Sequence, residues 1–380
     1  MTVEEWASAG TAIMEVPTMA KVRSWVGLDV HAAKVVAVCV DAESGEMTVR
    51  RLPGQTARIV EFVAGLPGRV RVAYEAGPTG FTLARALRAV GVGCVVAAPG
   101  KIERPAQDRV KTDRRDAERL VRLLMVDGLH PVRVPDPAEE ALRDLVRARE
   151  DLRGDLMRAR HRLSKLLLRH DVSFDGPGGP WTDTHRAWLA KVTLGDPAAQ
   201  ITLADYVGAI EALLVRRDAL ERSIAELVPD SPWAETVARL RCLRGIDTLS
   251  AVGLCAEIGD FARFERPGQL MSFLGVVPSE NSTGAKRRQG TITKSGSRHA
   301  RRLLVEAAWH YRKAPRSSRV LARRQAGQPD HVLQISWKAQ QRLHRTWNRL
   351  DRDRGKRRTI VAVAVARELA GFCWSIANAD

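Results

Sequence analysis

The fold is decided by a short apolar run near the N-terminus that ends on an acid, WVGLDVH (25–31). A second run ends in the same way, VAYEAG (72–77). Short apolar runs bounded by turn residues predict buried β-strands. An ionised carboxylate at the end of such a strand is costly unless it is paired or binds a cation. Asp29 and Glu75 are therefore candidate metal ligands.

Two further acids lie in the segment KTDRRDA (111–117). The i, i+3 spacing of Asp113 and Asp116 at a predicted helix start places both carboxylates on one helix face. Carboxylates that converge from separate elements predict a divalent-metal site, and oxygen ligands suit Mg²⁺ or Mn²⁺. The pair taken alone also fits an ordinary helix start, with Asp113 as the cap and Asp116 complementing the helix dipole. His31 is interpreted as a neighbour of the site rather than a ligand.

The segments around these acids predict an α/β domain. Three strands are expected first, then alternating helices and strands, and this is the order of the ribonuclease H-like fold. The strands are predicted over 25–31, 34–41, 46–52, 69–75 and 91–98, and the helices over 55–65, 81–90 and 113–127. We expect an N-terminal extension at 1–22 and the α/β domain at 23–135.

The next region, 136–235, has the apolar spacing of paired helices. Apolar residues recur in a 3-4-3-4 pattern over 142–166 and again over 206–227, the pattern of a coiled-coil seam. A Gly/Pro/Asp-rich segment at 171–200 predicts a loop insert between the two helices. An oligomerisation arm and an antiparallel hairpin within one subunit both fit this pattern.

The last region, 236–380, carries most of the features expected for nucleic-acid binding. LRGIDTLSAV (243–252) is typical of a helix-hairpin-helix element, or of a plain helical connection. Residues 281–320 hold eleven Lys/Arg and one acid, and small hydroxyl residues and glycines let the backbone there approach phosphates. The candidate nucleic-acid-binding residues are Lys286, Arg287, Arg288, Lys294, Arg298 and Arg301.

Composition points to a polyanionic partner. The net charge is +17 and the pI is about 10.4. None of the five cysteines forms a CxxC pair, so zinc and disulfide frameworks are not expected. No membrane association is expected, because no apolar stretch approaches a membrane span in the sequence, and the predicted location is cytoplasmic.

Taken together, these motifs resemble the DEDD-type insertion-sequence transposases related to the Piv DNA invertase, the family of bridge-RNA-guided recombinases. The resemblance covers most of residues 25–375. Each motif is weak alone, and their order along the chain makes the set specific. The matching motifs are VGLD (26–29), YE (74–75), TDRRDA (112–117), LRGI (243–246), FLG (273–275), STG (282–284), ITKSG (292–296) and AVAREL (364–369).

The resemblance implies a RuvC-like nuclease domain, a coiled-coil middle and a mainly α-helical C-terminal transposase domain. By position it implies a metal-binding tetrad of Asp29, Glu75, Asp113 and Asp116, with two Mg²⁺ or Mn²⁺ ions, and a nucleophilic Ser282. Donor and target double-stranded DNA, a guide RNA and a homo-oligomer are the implied partners. Position 283 of the serine motif is Thr283, the other hydroxyl in that motif.

Three other functions fit parts of the sequence. A RuvC-type structure-specific nuclease shares the four acids but has no use for Ser282. A sugar-kinase or actin-like ATPase also begins with Gly-Leu-Asp, but it needs a Gly-rich phosphate loop where VHAA (30–33) stands. A non-catalytic nucleic-acid-binding protein accounts for the charge but not for the acids. For Ser282, a plain turn serine is favoured by the residues without the resemblance.

Overall fold

The computed structural model describes residues 21–103, 112–281, 283 and 288–379, and the chain divides after Pro135 into two compact units. Most of the predicted extension at 1–22 lies outside the described residues. The first unit is an α/β domain and the second is helical, which confirms the predicted fold class at this level. The predicted boundary between 235 and 236 stays a prediction.

The first unit contains a five-stranded sheet with the strand order β3-β2-β1-β4-β5. The first three strands form an antiparallel meander, and β4 and β5 run parallel to β1. Each predicted strand and helix is present. The strands are β1 (Val22–Val30), β2 (Lys34–Asp41), β3 (Met47–Pro53), β4 (Arg69–Glu75) and β5 (Gly93–Ala97), and the helices are α1 (Thr56–Ala64), α2 (Thr82–Ala89) and α3 (Asp113–Met125).

Strand alternation assigns the two faces of this sheet to different helices. Val26 and Leu28 of β1 are fully buried in the cluster that also contains Ile59 of α1 and Leu87 of α2. The opposite face packs against α3 through Val38, Ala117 and Val121. Because side chains alternate along a strand, Gly27 and Asp29 belong to the α3 face. The first predicted acid therefore lies on the same face as the helix that carries the last two.

Gly27 is the point of closest approach between α3 and the sheet. A Cβ atom at this position would lie 2.1 Å from the carbonyl oxygen of Ala117 and 2.7 Å from the amide nitrogen of Val121. Only a residue without a side chain lets the two backbones approach this closely. Asp29 lies two residues beyond this contact on β1, and Asp113 lies one turn before it on α3.

In its described residues, the second unit consists of helices and one small β-hairpin. Its helices are α4 (Pro137–Arg169), α5 (Asp183–Leu189), α6 (Pro197–Leu227), α7 (Ala234–Leu240), α8 (Thr248–Ile258), α9 (Pro267–Phe273), α10 (Arg298–Ala308), α11 (Arg319–Gln325), α12 (Asp330–Asn348) and α13 (Arg358–Ala377). The hairpin strands are β6 (Pro278–Glu280) and β7 (Gln289–Ile292). The largest core cluster draws on both ends of this unit, from Leu142 of α4 to Ile376 of α13.

The two seam helices pack on each other within one chain. Arg149 of α4 pairs with Glu221 near the end of α6, whereas Leu163 of α4 shares a cluster with Leu203 near the start of α6. The helices are therefore antiparallel. Leu152 and Leu156 are buried as expected, whereas Leu213 and Leu220 are only partly buried. The coiled-coil assignment and its role in self-association stay predictions.

The segment at 171–200 is more ordered than the predicted loop insert. It contains α5, and its aromatic residues pack around His185, whose ring centre lies 5.0 Å from that of Phe174 and 5.3 Å from that of Trp188. The guanidinium of Arg160 on α4 lies 4.8 Å from the ring centre of Trp181. The Gly/Pro/Asp content of the segment concealed this cluster, although Trp181, His185 and Trp188 follow the i, i+4, i+7 spacing of a helix face.

Two helices of the second unit have the length and composition of a membrane span, over Pro197–Asp230 and Arg358–Ala377. Half of the apolar window in α13 is buried inside the protein, and the core helices of soluble proteins share this property. Two such helices are weak evidence for a membrane segment. The length and apolar composition of these two helices nevertheless differ from the sequence-based expectation that no apolar stretch approaches a membrane span.

A network of charged side chains joins α4, α8 and α10. Arg147 donates two hydrogen bonds to the Glu257 carboxylate, at 3.2 and 3.3 Å. The His299 ring lies between two acids, with Nδ1 at 3.6 Å from Glu257 and Nε2 at 3.5 Å from Glu150. Arg302 donates to Glu150 at 2.6 Å. Since the Glu257 side chain is only 8% exposed, its charge depends on these partners.

We expect Glu257→Gln to lower the free energy of unfolding by about 2 kcal/mol, because the buried carboxylate loses its charge-assisted hydrogen bonds to the half-exposed Arg147 and to the mostly buried His299. Burial alone raises the pKa of Glu257, but His299 and Arg147 outweigh it and lower the pKa to about 2. The stabilisation is therefore complete above the ordinary pKa of 4.5 and is lost as the pH falls from there toward 2. Urea unfolding at pH 7 and pH 3 measures both effects. Glu235→Gln, at an exposed pair, is the control, and an equal loss in the two variants would contradict the prediction.

Candidate metal centre and nucleic-acid interface

Side chains from the end of β1, the β1–β2 turn and the start of α3 converge at one edge of the sheet. The ligand atoms of Asp29, His31 and Asp113 all lie within 4.8 Å of one another. The His31 Nε2 atom is 3.3 Å from Asp29 and 4.0 Å from Asp113. Two of the four predicted acids are therefore close enough to bind one cation together with His31.

Glu75 and Asp116 flank this group. On the parallel strands β1 and β4, Gly27 pairs with Ala73 and Leu28 with Tyr74, so Glu75 follows beside Asp29 on the same sheet face. Asp116 is 8% exposed and pairs with Arg119 at 3.0 Å. Its charge is near enough to Asp29 to contribute to the pKa of that carboxyl. The structure thus brings all four acids to one face of the sheet, and only Asp29 and Asp113 belong to the 4.8 Å group.

Thr112 caps α3, so Asp113 is not needed for that purpose. The Thr112 side chain accepts a hydrogen bond from the Arg115 amide at 3.3 Å, as an N-cap does. Asp113 instead accepts a hydrogen bond from Lys34 of β2 at 2.6 Å. This bond lowers the pKa of Asp113. The alternative in which Asp113 is the helix cap is therefore wrong.

The donor set fits a divalent cation. Partial burial raises the pKa of Asp29; His31 opposes this shift, and the charges of Asp113 and Asp116 add to it. Carboxylates crowded in this way repel one another unless a cation lies between them. Carboxylate oxygens are the preferred ligands of Mg²⁺ and Mn²⁺, and an imidazole also suits Mn²⁺ among the transition metals.

Sequence reasoning missed Lys34, and the role of His31 as a neighbour of the metal rather than a ligand stays a prediction. The His31 ring nitrogen lies 3.3 Å from Asp29, and a hydrogen bond to a metal ligand and a shared metal ligand both fit that distance. Lys34 lies three residues further on, where the tight turn closes with the His31 amide bonded to the Lys34 carbonyl at 3.0 Å. The signal available in the sequence was the shortness of the turn, which keeps residues 31–34 beside the end of β1.

We expect Lys34→Met to strengthen Mn²⁺ binding roughly threefold, because the ammonium competes with the cation for the same Asp113 oxygen and exposed ion pairs are weak. Isothermal titration of the full chain with Mn²⁺ measures the dissociation constant. Lys101→Met, an exposed lysine of the same unit, is the control. A weaker affinity in Lys34→Met would instead make Lys34 a support of the ligand geometry.

The predicted serine lies in the connection between β6 and β7. Ser282, Lys286 and Arg287 are outside the described residues, while Thr283 is exposed. The base of this hairpin is described, and two glycines form it. A Cβ at Gly275 would lie 2.2 Å from the Ser295 carbonyl oxygen, and one at Gly296 would lie 2.1 Å from the carbonyl oxygen of Phe273.

The remaining candidate nucleic-acid residues border the same hairpin. Arg288, Lys294 and Arg298 are exposed. Arg301 is half-buried, and its guanidinium donates to the carbonyls of Leu274 at 3.1 Å, Ser295 at 2.5 Å and Gly296 at 3.1 Å. Arg301 therefore holds the base of the hairpin together, and a contact to nucleic acid stays a prediction for all four residues.

The segment 243–252 forms the turn between α7 and α8 and the start of α8, which fits a helix-hairpin-helix element and a plain helical connection alike. Gly245 has a φ of +85°, and Asp247 caps α8 by accepting a hydrogen bond from the Ser250 amide at 2.8 Å. A Cβ at Gly245 would lie 2.7 Å from the Ala307 carbonyl oxygen. The turn is thus packed against the end of α10, and the absence of a side chain at Gly245 allows this close approach.

Comparison with known proteins identifies two matching family models. A DEDD transposase model matches residues 26–170, and a model described as the transposase IS116/IS110/IS902 family matches residues 237–323. The first covers the end of β1, β4 and α3, and the second covers the α7–α8 turn and the hairpin around position 282. Each model thus contains one of the candidate sites.

Whole-chain relatives agree with these models. A putative transposase, y4qE, of Sinorhizobium fredii is 41% identical over 360 residues, covering 93% of this chain and 88% of its own length. The transposase for insertion sequence element IS1533 of Leptospira borgpetersenii is 33% identical over 346 residues, covering 88% and 99%. Similarity of this extent, with both family models in order along one chain, shows that the protein belongs to the IS110/IS116 family of DEDD transposases, which are enzymes that cut and rejoin DNA.

Proposed function

We propose that the protein moves an insertion sequence by cutting and rejoining DNA strands, using Asp29, Glu75, Asp113 and Asp116 to hold two Mg²⁺ or Mn²⁺ ions. The observation that carries this proposal is the convergence of Asp29, His31 and Asp113 within 4.8 Å, at the edge of a sheet where Glu75 and Asp116 also lie. Family membership implies a divalent metal, and the choice of metal and the count of ions are part of the proposal.

The residues of this site have different roles, which follow from their positions. Asp29 and Asp113 approach from a strand and a helix that Gly27 holds in direct contact, so their separation is fixed by packed backbone. Lys34 bonds the Asp113 carboxylate and lowers its pKa in the metal-free protein, and a bound cation would compete with the Lys34 ammonium for that carboxylate. A divalent cation bound there supplies positive charge to the attacking and leaving oxygens of a phosphodiester.

Ser282 is the proposed nucleophile. Its hydroxyl oxygen attacks the phosphorus, the bond from phosphorus to one deoxyribose oxygen breaks, and the hydroxyl proton passes to a base or to solvent. The product is a phosphoserine link to one DNA end and a free hydroxyl on the other. This link keeps the phosphodiester energy for rejoining, which a recombinase requires and a hydrolytic nuclease does not. The support for Ser282 is the STG motif (282–284), which matches the serine motif of the family that the sequence resembles.

We expect Ser282→Ala to abolish both strand cleavage and any covalent protein–DNA adduct. A suicide substrate carrying the element's ends, followed by denaturing electrophoresis and mass spectrometry, detects the adduct and identifies the modified residue. Thr283→Ala is the matched control, because it removes the neighbouring hydroxyl. An adduct on Thr283 would show that Thr283, rather than Ser282, is the nucleophile. Full cleavage by Ser282→Ala without an adduct would favour the RuvC-type nuclease.

The proposed partners are donor and target double-stranded DNA, a guide RNA and further copies of the chain through α4 and α6. The net charge of +17 supports a nucleic-acid partner of either kind. Sequencing the nucleic acid that copurifies with the protein tests the RNA directly, since a guide would be one recurrent structured species. A cytoplasmic location without membrane association belongs to the same proposal.

A further inference from the structure

A basic cavity of about 290 Å³ lies in the second unit, beside the turn between α7 and α8. Its walls come from that turn, from the segment 310–318 after α10, and from α11. Five of its side chains are cationic or basic and one is acidic. They are Arg244, His310, Lys313, Arg316, Arg324 and Asp247. None of them is among the proposed catalytic, metal-binding or nucleic-acid-binding residues, although Arg244 and Asp247 lie in the predicted helix-hairpin-helix segment (243–252).

Two of these arginines are held in place by neutral carbonyl groups. Arg244 donates through Nη1 to the carbonyls of Lys313 at 3.2 Å and Ala314 at 2.9 Å. Arg324 donates through Nη1 to the Ile246 carbonyl, directly after Gly245 in the turn. These bonds fix each guanidinium without neutralising it. A guanidinium has five N–H donors, so donors remain for a ligand.

The backbone of the wall is fixed as well. Gln340 of α12 is 1% exposed, and its side-chain oxygen accepts hydrogen bonds from the Arg316 amide at 3.1 Å and from the Arg244 guanidinium at 3.5 Å. One buried amide therefore ties the turn to the 313–316 segment. The cationic groups are arranged before any ligand arrives, and such preorganisation lowers the cost of binding.

The positive charge of the cavity is not balanced by acids. In the part of the chain that the structure describes, Arg244, Lys313, Arg316 and Arg324 have no carboxylate partner within 4.0 Å among the recorded ion pairs. The single acid, Asp247, already accepts the Ser250 amide as the cap of α8. Burial lowers the pKa of His310, and the charges of Arg244, Lys313 and Arg324 lower it further against the smaller opposing effect of Asp247, so the net field at His310 is positive.

We propose that this cavity binds a backbone phosphate of the nucleic acid that the transposase acts on or carries. Arg244 and Arg324 form the floor and donate to the phosphate oxygens, while the exposed Lys313 and Arg316 close over it. The site contacts the backbone and reads no bases, so it positions the nucleic acid without selecting its sequence. It rests on the proposed function only in that the partner is a nucleic acid.

The test uses Lys313→Gln combined with Arg316→Gln in the full chain, and fluorescence anisotropy with labelled DNA in the presence of EDTA. Both side chains are exposed, so the variant is expected to keep its fold, and its melting temperature checks this. Loss of one phosphate contact is expected to weaken binding by a similar factor for unrelated sequences. It is also expected to reduce the slope of log K against log salt by about 1.

Arg312→Gln combined with Arg323→Gln is the matched control, because each residue is exposed and adjacent to the cavity in sequence but does not line it. The control removes the same two charges. An equal loss of affinity and slope in the two double variants would overturn the proposal, since the effect would then be one of net charge alone.

Parallel titrations with duplex DNA and with single-stranded RNA of equal length distinguish the source of the phosphate. A loss confined to one of them assigns the cavity to that polymer, and a loss for neither overturns the site. Photo-cross-linking of wild-type protein to thio-substituted DNA or RNA gives a second readout, in which absence of adducts from 310–324 also overturns it. Because EDTA prevents metal-dependent cleavage, these experiments measure binding alone. Their outcome therefore does not depend on whether the proposed strand-cutting site is correct.

Discussion

Asp29→Asn is expected to reduce metal-dependent strand cleavage by roughly three orders of magnitude. Removing one group that stabilises charge in a transition state typically slows an enzyme by about this factor. Asp29 lies 3.3 Å from His31, and the charges of Asp113 and Asp116 both raise its pKa. The amide keeps the shape of the side chain but removes the charge that a cation needs. Relaxation of a supercoiled plasmid carrying the element's ends, measured with Mg²⁺ and with Mn²⁺, gives the rate.

The same substitution should leave the fold intact. Burial and the charges of Asp113 and Asp116 disfavour the ionised form of Asp29 in the metal-free protein, so a neutral amide removes a repulsion. We therefore expect the melting temperature without metal to be unchanged or slightly higher. Asp127→Asn, an exposed acid of the same unit, is the control for activity and stability. Wild-type cleavage by Asp29→Asn, or cleavage by the wild type in excess chelator, would refute the metal-centre proposal.

Gly27→Ala is expected to destabilise the α/β unit by about 3 kcal/mol and to abolish cleavage, because the added methyl group overpacks a backbone contact. Its Cβ would lie 2.1 Å from the Ala117 carbonyl oxygen, and neither β1 nor α3 has a flexible side chain at that point to move aside. The helix must therefore shift away from the sheet, and Asp113 and Asp116 move with it. Thermal unfolding followed by circular dichroism measures the first effect, and the plasmid assay measures the second.

Gly93→Ala provides the matched control on the same sheet. A Cβ at Gly93 would lie 3.5 Å from the Arg71 side chain, an ordinary contact. This variant is expected to retain both stability and cleavage. If Gly27→Ala also retained them, the close contact between α3 and β1 would have no part in placing the acids.

The elements of the α/β unit were predictable because each one is encoded locally. Apolar runs that end on Asp29 and Glu75, with turn residues between them, indicate strands whatever their partners are. The placement of all four acids on one face also follows, since strand alternation and the i, i+3 spacing are geometric. The pairing of Asp113 with Lys34 did not follow, because 79 residues separate them and only the packing of α3 brings them together.

The predictions for the helical unit were less complete for the same reason. The pairing of α4 and α6 follows from the local 3-4-3-4 repeat of apolar residues. That repeat does not determine whether the partner helix belongs to the same chain or to another copy. The basic cavity was not predicted. Gln340 bonds Arg244 and the Arg316 amide, and Arg324 joins them through the Ile246 carbonyl. These contacts link residues far apart in sequence, and no spacing along the chain predicts them.

The charged network of Glu257, His299 and Glu150 has a practical consequence for handling this protein. Salt screens exposed ion pairs strongly and buried ones weakly. Concentrated salt should therefore strip copurified nucleic acid from the basic surface while this interior network keeps the helical unit folded. A high-salt column followed by dialysis should thus yield protein free of nucleic acid and able to bind it again, which makes reconstitution with a chosen DNA or RNA feasible.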